Sequence, residues 1–464
     1  MIRQSGEQPW AMMVTPPRRH SIPYHVISNP QSKSVNMESE ILIVGAGIFG
    51  ISTAYHLAKR SSNPASITVL DRFPAPSQDA ASTDVNKIIR ADYSSSLYME
   101  LGLEAIQAWK NDPLFKDSGV YHQTGWIMMD EQGSDLAGRI RANFRDLFGS
   151  DPWQPMSEDE VRSGWGGVLK NADLSPFGSF FFNPLAGWAD AGRALTIMAN
   201  EVIRMGVRYQ VGEATRLVLG KGGIKGVETK SGDLYSADKV LLCTGAWTSQ
   251  LMSPVEAELK MPQTDRIESQ ASATGVCVAH FQLSDAERKL YDQLPVYVYG
   301  EQGEVIPPTD TGLLKFTTTQ SFKNTKNGYS VPPSWDAPGT FTLREVPENL
   351  RKQCIDSIRP RLPKIFDSDR QVDHFRLCWD AITPDQHPLI TQHPDTRLSH
   401  LYLAIGGSFH CWKFLPIIGR YVTNMLDGAS NGADRDNAWA WKKSRQGQGV
   451  HGSLMPSKEL NEYT

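Results

Sequence analysis

Cysteine is scarce in this 464-residue chain. Its five residues, Cys243, Cys277, Cys354, Cys378 and Cys411, are scattered, odd in number and free of any C-x-x-C pair. That excludes a disulfide framework and a zinc knuckle, and predicts a reduced protein with mostly buried thiols. An excess of charge of either sign is also missing. Lys plus Arg number 47 against 51 Asp plus Glu, a net charge of −4, which predicts neither a nucleic-acid groove nor a polybasic membrane patch. Long apolar runs are lacking as well. Residues 41–58 (ILIVGAGIFGISTAYHLA) carry no charge, but Gly45, Gly47, Gly50, Ser52, Thr53 and His56 interrupt them, so no membrane-spanning segment is expected. The apolar residues 10–14 are stopped by Pro16-Pro17 and are too short for a secretory signal.

What is present is enough for a large core. Apolar residues make up 40% and charged residues 21%, with 12 Trp, which argues against wholesale disorder. Residues 1–36 stand apart, with five prolines, four Lys or Arg, one acidic residue and no apolar period. They read as a disordered tail ahead of Met37. A buried-strand run at 41–44 leads into Ile48, Ile51, Tyr55 and Ala58 at helical spacing. Strands are then predicted at 66–70, 207–211, 215–219, 226–229, 239–243, 296–299, 313–318 and 399–405, and helices at 97–109, 189–205 and 416–426.

The α/β signal comes in separated blocks. The expected fold is α/β, a Rossmann-type nucleotide domain formed by 37–95, 190–250 and 370–430. Interleaved with it is an α+β, mixed-sheet substrate domain formed by 96–189 and 251–369, and 431–464 form a C-terminal extension. The segment 110–189 and the strands around Tyr297 and Tyr299 are expected to line the substrate pocket.

Gly45-x-Gly47-x-x-Gly50 follows a strand and opens a helix, and Asp71 ends the next strand 21 residues beyond Gly50. In that context the motif is a dinucleotide fingerprint. Gly45 permits the tight turn, Gly47 lets backbone approach a pyrophosphate, and Gly50 lets helix and strand pack closely. The helix N-terminus offers unpaired N–H groups to phosphate, and Asp71 is placed to accept from ribose hydroxyls. Nicotinamide enzymes usually keep this domain contiguous. Here later strands arrive after position 190 and again near the C-terminus, which points to FAD.

Four segments together carry a family resemblance: 41–58, STDVNKIIRADYS (82–94), GLLKF (312–316) and RLCWDAITPD (376–385) with AIGGSFHCWKF (404–414). The chain resembles the D-amino-acid-oxidase-like FAD oxidoreductases, in the group of sarcosine oxidase, pipecolate and saccharopine oxidase, and fructosyl-amino-acid oxidase. The resemblance implies FAD held covalently through Cys378, by an 8α-S-cysteinyl link. It implies a substrate carboxylate bound by Arg90 and Lys413, and Lys315 as the site of oxygen activation, with Lys87 sharing or taking over that role. The implied cofactor contacts are Gly45, Gly47, Ile48, Phe49, Gly50, Asp71, Lys87, Cys378, Gly407, Phe409 and Lys413. Strand alternation would send Lys87 and Arg90 to opposite sides unless the strand bends. Relatives often carry Gly where this chain has Cys411, which affects the expected pocket shape. They also usually lack Arg90 when they act on sugar amines.

The function implied is an oxidase of the C–N bond of a carboxylate-bearing secondary amine, an N-methyl or cyclic amino acid, giving an imine and hydrogen peroxide. The alternatives are an FAD oxidoreductase of a specialised-metabolism intermediate at another C–N or C–O bond, and a fructosyl-amino-acid oxidase. Expected partners are a small-molecule amine and oxygen, with no nucleic acid and no membrane. A monomer is favoured. The cytosol is the expected compartment and the peroxisome the alternative, as the chain ends Asn461-Glu462-Tyr463-Thr464 without a Ser-Lys-Leu address.

Overall fold

The computed structural model describes residues 36–334, 345–444 and 454–464, so all but Asn36 of the tail expected at 1–36 lies outside the described residues. Among them, three distant stretches of chain build one eight-stranded sheet. Its middle strand, Asn36–Val44, pairs in parallel with Leu234–Leu242 on one side and Ile67–Asp71 on the other. Arg208–Val211 and Leu401–Ile405 extend the parallel run outward. Every residue of Ile67–Asp71 is buried. That is why Ile67, Val69 and Leu70 come without a regular polar alternation: a parallel strand covered on both faces has no solvent side to mark with polar residues. Antiparallel strands finish the sheet, with Leu389–Gln392 on Leu401–Ile405 and the hairpin Ala214–Gly220 and Gly223–Thr229 on Leu234–Leu242.

The helix Ile48–Arg60 packs backbone against backbone on two sides. A Cβ on Gly50 would stand 1.9 Å from the Gly45 carbonyl oxygen, and one on Gly419 would stand 2.0 Å from that of Ser52. The Ser52 hydroxyl donates to Leu415 O at 2.7 Å and accepts from Gly419 N at 2.9 Å. The late helix Ile418–Leu426 is thereby clamped onto the first one.

A nine-stranded mixed sheet forms the second layer system, running from His374–Ile382 through Ser272–Gln282, Leu313–Lys323, Glu304–Ile306, Val296–Tyr299, Trp126–Glu131 and Phe177–Asn183 to Gln154–Met156. One face is core, where Leu314, Phe316, Val305 and Tyr297 are buried. The other faces a large cavity. Residues 454–464 join this sheet, since Lys458–Glu459 pairs in parallel with Leu313–Lys323. The strand His374–Ile382 was not predicted. Its central Leu377-Cys378-Trp379 is buried on both faces, so no alternation betrays it.

Among the described residues all five cysteines are free and buried, no cluster of His, Cys, Asp or Glu is suited to hold a metal ion, and no helix is long and apolar enough to cross a membrane.

Candidate active site

Two cavities meet between the sheets. A groove of about 220 Å³ runs over the C-terminal ends of the parallel strands, lined by Val44, Gly45, Asp71, Cys243 and Gly406. A chamber of about 1000 Å³ lies against the nine-stranded sheet. Lys87, Phe409 and Trp412 border both, so the groove opens into the chamber at these three residues.

The groove is built by the glycine turn. Gly45 has φ +105°, and a Cβ there would lie 2.4 Å from the Cys243 carbonyl oxygen, so only glycine fits beneath that strand. Gly47 caps the helix without any side-chain bond. Gly47, Ile48, Phe49, Asp71, Lys87, Gly407 and Phe409 line the groove, whereas Gly50 sits behind it as the packing glycine. Asp71 ties the turn down, accepting from Ala46 N at 2.7 Å and Phe73 N at 3.0 Å. Burial pushes its carboxyl up from the ordinary value against the pull of those bonds. The Ser77 side chain also bonds this carboxylate, which still leaves acceptor capacity for a hydroxyl donor. Asp79 adds a buried carboxylate oxygen with no partner. Ile48 N donates to the Ser82 hydroxyl at 3.0 Å. A glycine cradle, a helix N-terminus whose cap residue brings no side chain, and acceptors for hydroxyls fit the dinucleotide of FAD.

Cations crowd the chamber next to the groove. Lys315 is buried, and its ammonium donates to Asp84 Oδ2 at 2.5 Å and to Asn86 O at 3.1 Å. Lys87 reaches the same oxygen at 3.0 Å, and Arg376 reaches the other at 3.5 Å. Burial opposes ionisation of Asp84, but Lys315, Lys87 and Arg376 outweigh it and hold the carboxyl well below its usual range. Burial wins at Lys315, which is pushed down from the ordinary lysine value. At Lys87 burial loses to the attraction of Asp84, and the ammonium is held up. Cys378 lines the same chamber, within electrostatic reach of both lysines.

A second cationic group stands around Tyr93. The Arg90 guanidinium lies 4.4 Å from the Tyr93 ring centroid and 4.8 Å from that of Trp126. Lys413 donates to the Tyr93 hydroxyl at 2.6 Å and to His410 O at 2.7 Å. Burial, then the Arg90 charge, push Lys413 well below the ordinary lysine range. Burial, then the Lys413 charge, press His410 down to about 3. Lys413 sits in the short 3-10 helix Cys411–Phe414, ahead of the helix that was expected to begin at 416.

Several expectations need correction. Lys87 and Arg90 do not part, because the strand Asn86–Ile89 ends before Arg90 and both side chains line the chamber. Tyr297 and Tyr299 point into the core, Tyr297 donating to Arg361 O at 2.9 Å, and Val298 between them is the one facing the chamber. Cys411 is buried and lines neither cavity. Sequence reasoning missed Asp84 and Tyr93. Both stand in the quoted segment 82–94, but the partners that give them meaning, Lys315 and Lys413, lie 231 and 320 positions away.

Comparison with known proteins agrees with this geometry. Residues 40–425 match the model of the FAD dependent oxidoreductase family. L-saccharopine oxidase of Schizosaccharomyces pombe is 29% identical over 432 residues, covering 88% of this chain and 94% of that protein. The peroxisomal sarcosine oxidase of Mus musculus is 24% identical, covering 83% and 91%. Among solved structures, a thermally stable fructosyl peptide oxidase mutant superposes with a TM-score of 0.77 at 27% identity, covering 91% of this chain and 98% of that one. Fructosamine oxidase from Aspergillus fumigatus (Amadoriase II) gives 0.74 at 28% identity, covering 89% and 93%. With a match across most of its length and a groove built to take the dinucleotide, the chain belongs to the FAD dependent oxidoreductase family.

Proposed function

We propose that the protein is an FAD-dependent oxidase that breaks the C–N bond of a carboxylate-bearing secondary amine. The observation that carries this reading is the pair of cations around Tyr93. Arg90 and Lys413 are buried on one chamber wall, and burial and the Arg90 charge work against the Lys413 ammonium. A substrate carboxylate placed between them adds negative charge beside both cations, with Arg90 as a planar donor and Lys413 as a point charge. Bound FAD would supply the two-electron chemistry, taking up a hydride equivalent from the carbon beside the amine nitrogen and returning the electrons to oxygen. The balanced result is an imine and hydrogen peroxide, and water then hydrolyses the imine.

The protein's own part is to bind, orient and set charge. Arg90 and Lys413 anchor the acid. Lys315, held by Asp84, is the preorganised cation that meets negative charge as oxygen gains an electron, with Lys87 beside it. Cys378, on the chamber wall, is the residue we assign to covalent attachment of FAD. Its strand neighbours leave the thiol among Val276, Ile382 and Leu454, with no other use for it.

The test is a peroxide-coupled screen of the flavin-loaded protein with N-methyl amino acids, pipecolate, saccharopine and fructosyl amino acids. Peroxide from an amino acid of the first three kinds supports the reading. Peroxide from fructosyl amino acids alone replaces it with the sugar-amine activity named for the two solved neighbours.

A further inference from the structure

We propose that Glu304 forms a cation-binding end of the chamber, so that the substrate carries a second positive group, such as a side-chain ammonium, besides its carboxylate and reacting amine. This rests on the reading of the chamber as the site of a carboxylate-bearing amine. In the strand Glu304–Ile306, Val305 enters the core, which turns Glu304 and Ile306 toward the chamber. Val305 stands opposite Phe316 and Ile306 opposite Lys315, so Glu304 faces Thr317. The Thr317 hydroxyl donates to Glu304 Oε2, and Glu304 N donates to that hydroxyl at 2.8 Å. These bonds fix the carboxylate on the sheet face, two residues along from Lys315, or roughly 7 Å.

The buried carboxylates of the chamber already take nitrogen donors. Asp84 has three cations, Asp92 accepts from Trp153 and Asn183, Asp130 from Ala137 N, and Asp385 from Lys442. Glu304 accepts from one hydroxyl and, among the described residues, forms no ion pair. A carboxylate has about four acceptor positions, so most of its capacity is open to the chamber. The Glu304 charge also acts on Lys413, which places the two ends within electrostatic reach of each other. A ligand with only a carboxylate brings no cation to Glu304. One that adds an ammonium satisfies both ends.

A competing role is as counter-charge to Arg361, which its charge also reaches. That guanidinium, however, is held by the carbonyl oxygens of Thr317, Gln302 and Ser357.

The experiment titrates the bound flavin's absorbance with two unreactive acids, the thioether analogues of N-methyl-lysine and N-methyl-norleucine. They differ in a terminal ammonium against a hydrogen. The wild-type protein should bind the ammonium acid at least about tenfold more tightly. Glu304→Gln should erase that preference while binding the norleucine analogue within about threefold of wild type, and Glu304→Asp should keep part of it. Equal binding of the two acids by the wild type, or a preference that survives in Glu304→Gln, overturns the proposal. If Glu304 serves Arg361 instead, Glu304→Gln lowers thermal stability and leaves the preference untouched. The readout is binding, so it stands apart from turnover: an ammonium preference without oxidation of any amine would refute the proposed reaction and leave the cation end in place.

Discussion

Burial works against the ammonium of Lys315, and Asp84 favours it. If that cation meets the charge formed on oxygen, Lys315→Met should slow flavin reoxidation by orders of magnitude and leave anaerobic reduction far less changed. Stopped-flow measurement of the two half-reactions decides this, and an unaltered reoxidation rate would move the role to Lys87. The pH dependence has a definite sign. Lys315 loses its proton below the ordinary 10.5, so reoxidation should fall at alkaline pH earlier than an unperturbed lysine would dictate. Asp84→Asn removes the anion that favours the ammonium, so the fall should move to still lower pH. A shift upward, or none, contradicts the coupling. The Tyr93 cluster gives a parallel expectation. A bound carboxylate favours protonated Lys413, whose own affinity for the proton is depressed. Binding of a simple acid should therefore weaken as pH rises through that depressed value, and Lys413→Met should flatten the profile. Loss of either Arg90 or Lys413 should cost about 1–3 kcal/mol, or about 5- to 150-fold in affinity, read by titrating the flavin spectrum.

At the level of elements, the glycine turn was legible because its chemistry is local. Gly45, Gly47 and Gly50 are spaced for one turn and one helix; Gly45 takes the positive φ of the tight turn and Gly50 lies against the Gly45 carbonyl, as their positions imply. Gly50→Ala drives a methyl into the Gly45 carbonyl, so it should lower thermal stability by about 1–3 kcal/mol or more and reduce the flavin-to-protein absorbance ratio. A protein that keeps its flavin and melting temperature would show the helix can shift away. The strand His374–Ile382 was not legible, since alternation vanishes when both faces are covered. Its Cys378 was found through motif resemblance alone. The attachment assigned to it predicts that acid-precipitated protein stays yellow and that Cys378→Ser releases the colour to the supernatant. Colour lost from the wild-type pellet contradicts the link. Arg90 shows the opposite failure: alternation was applied one residue past the strand's end at Ile89.

Over the whole molecule, the interleaving of two sheets was visible in the separated blocks of α/β pattern, and the eight-stranded sheet does draw on residues near 40, 70, 210, 240 and 400. Invisible were the joins that depend on distant partners. Examples are the Ser52–Gly419 clamp, the meeting of Asp84 with Lys315, and the return of residues 454–464 to the second sheet. Those joins bring the glycine groove, the Asp84 cations and the Arg90–Lys413 pair to one continuous space. The measurement that tests this arrangement most directly is anaerobic mixing of the flavin-loaded protein with secondary amino acids and with their amides, followed by flavin absorbance. The account predicts bleaching by at least one free acid, with its amide far slower because Arg90 and Lys413 lose their anion. Equal bleaching by acid and amide, or no bleaching by any carboxylate-bearing amine, would contradict it.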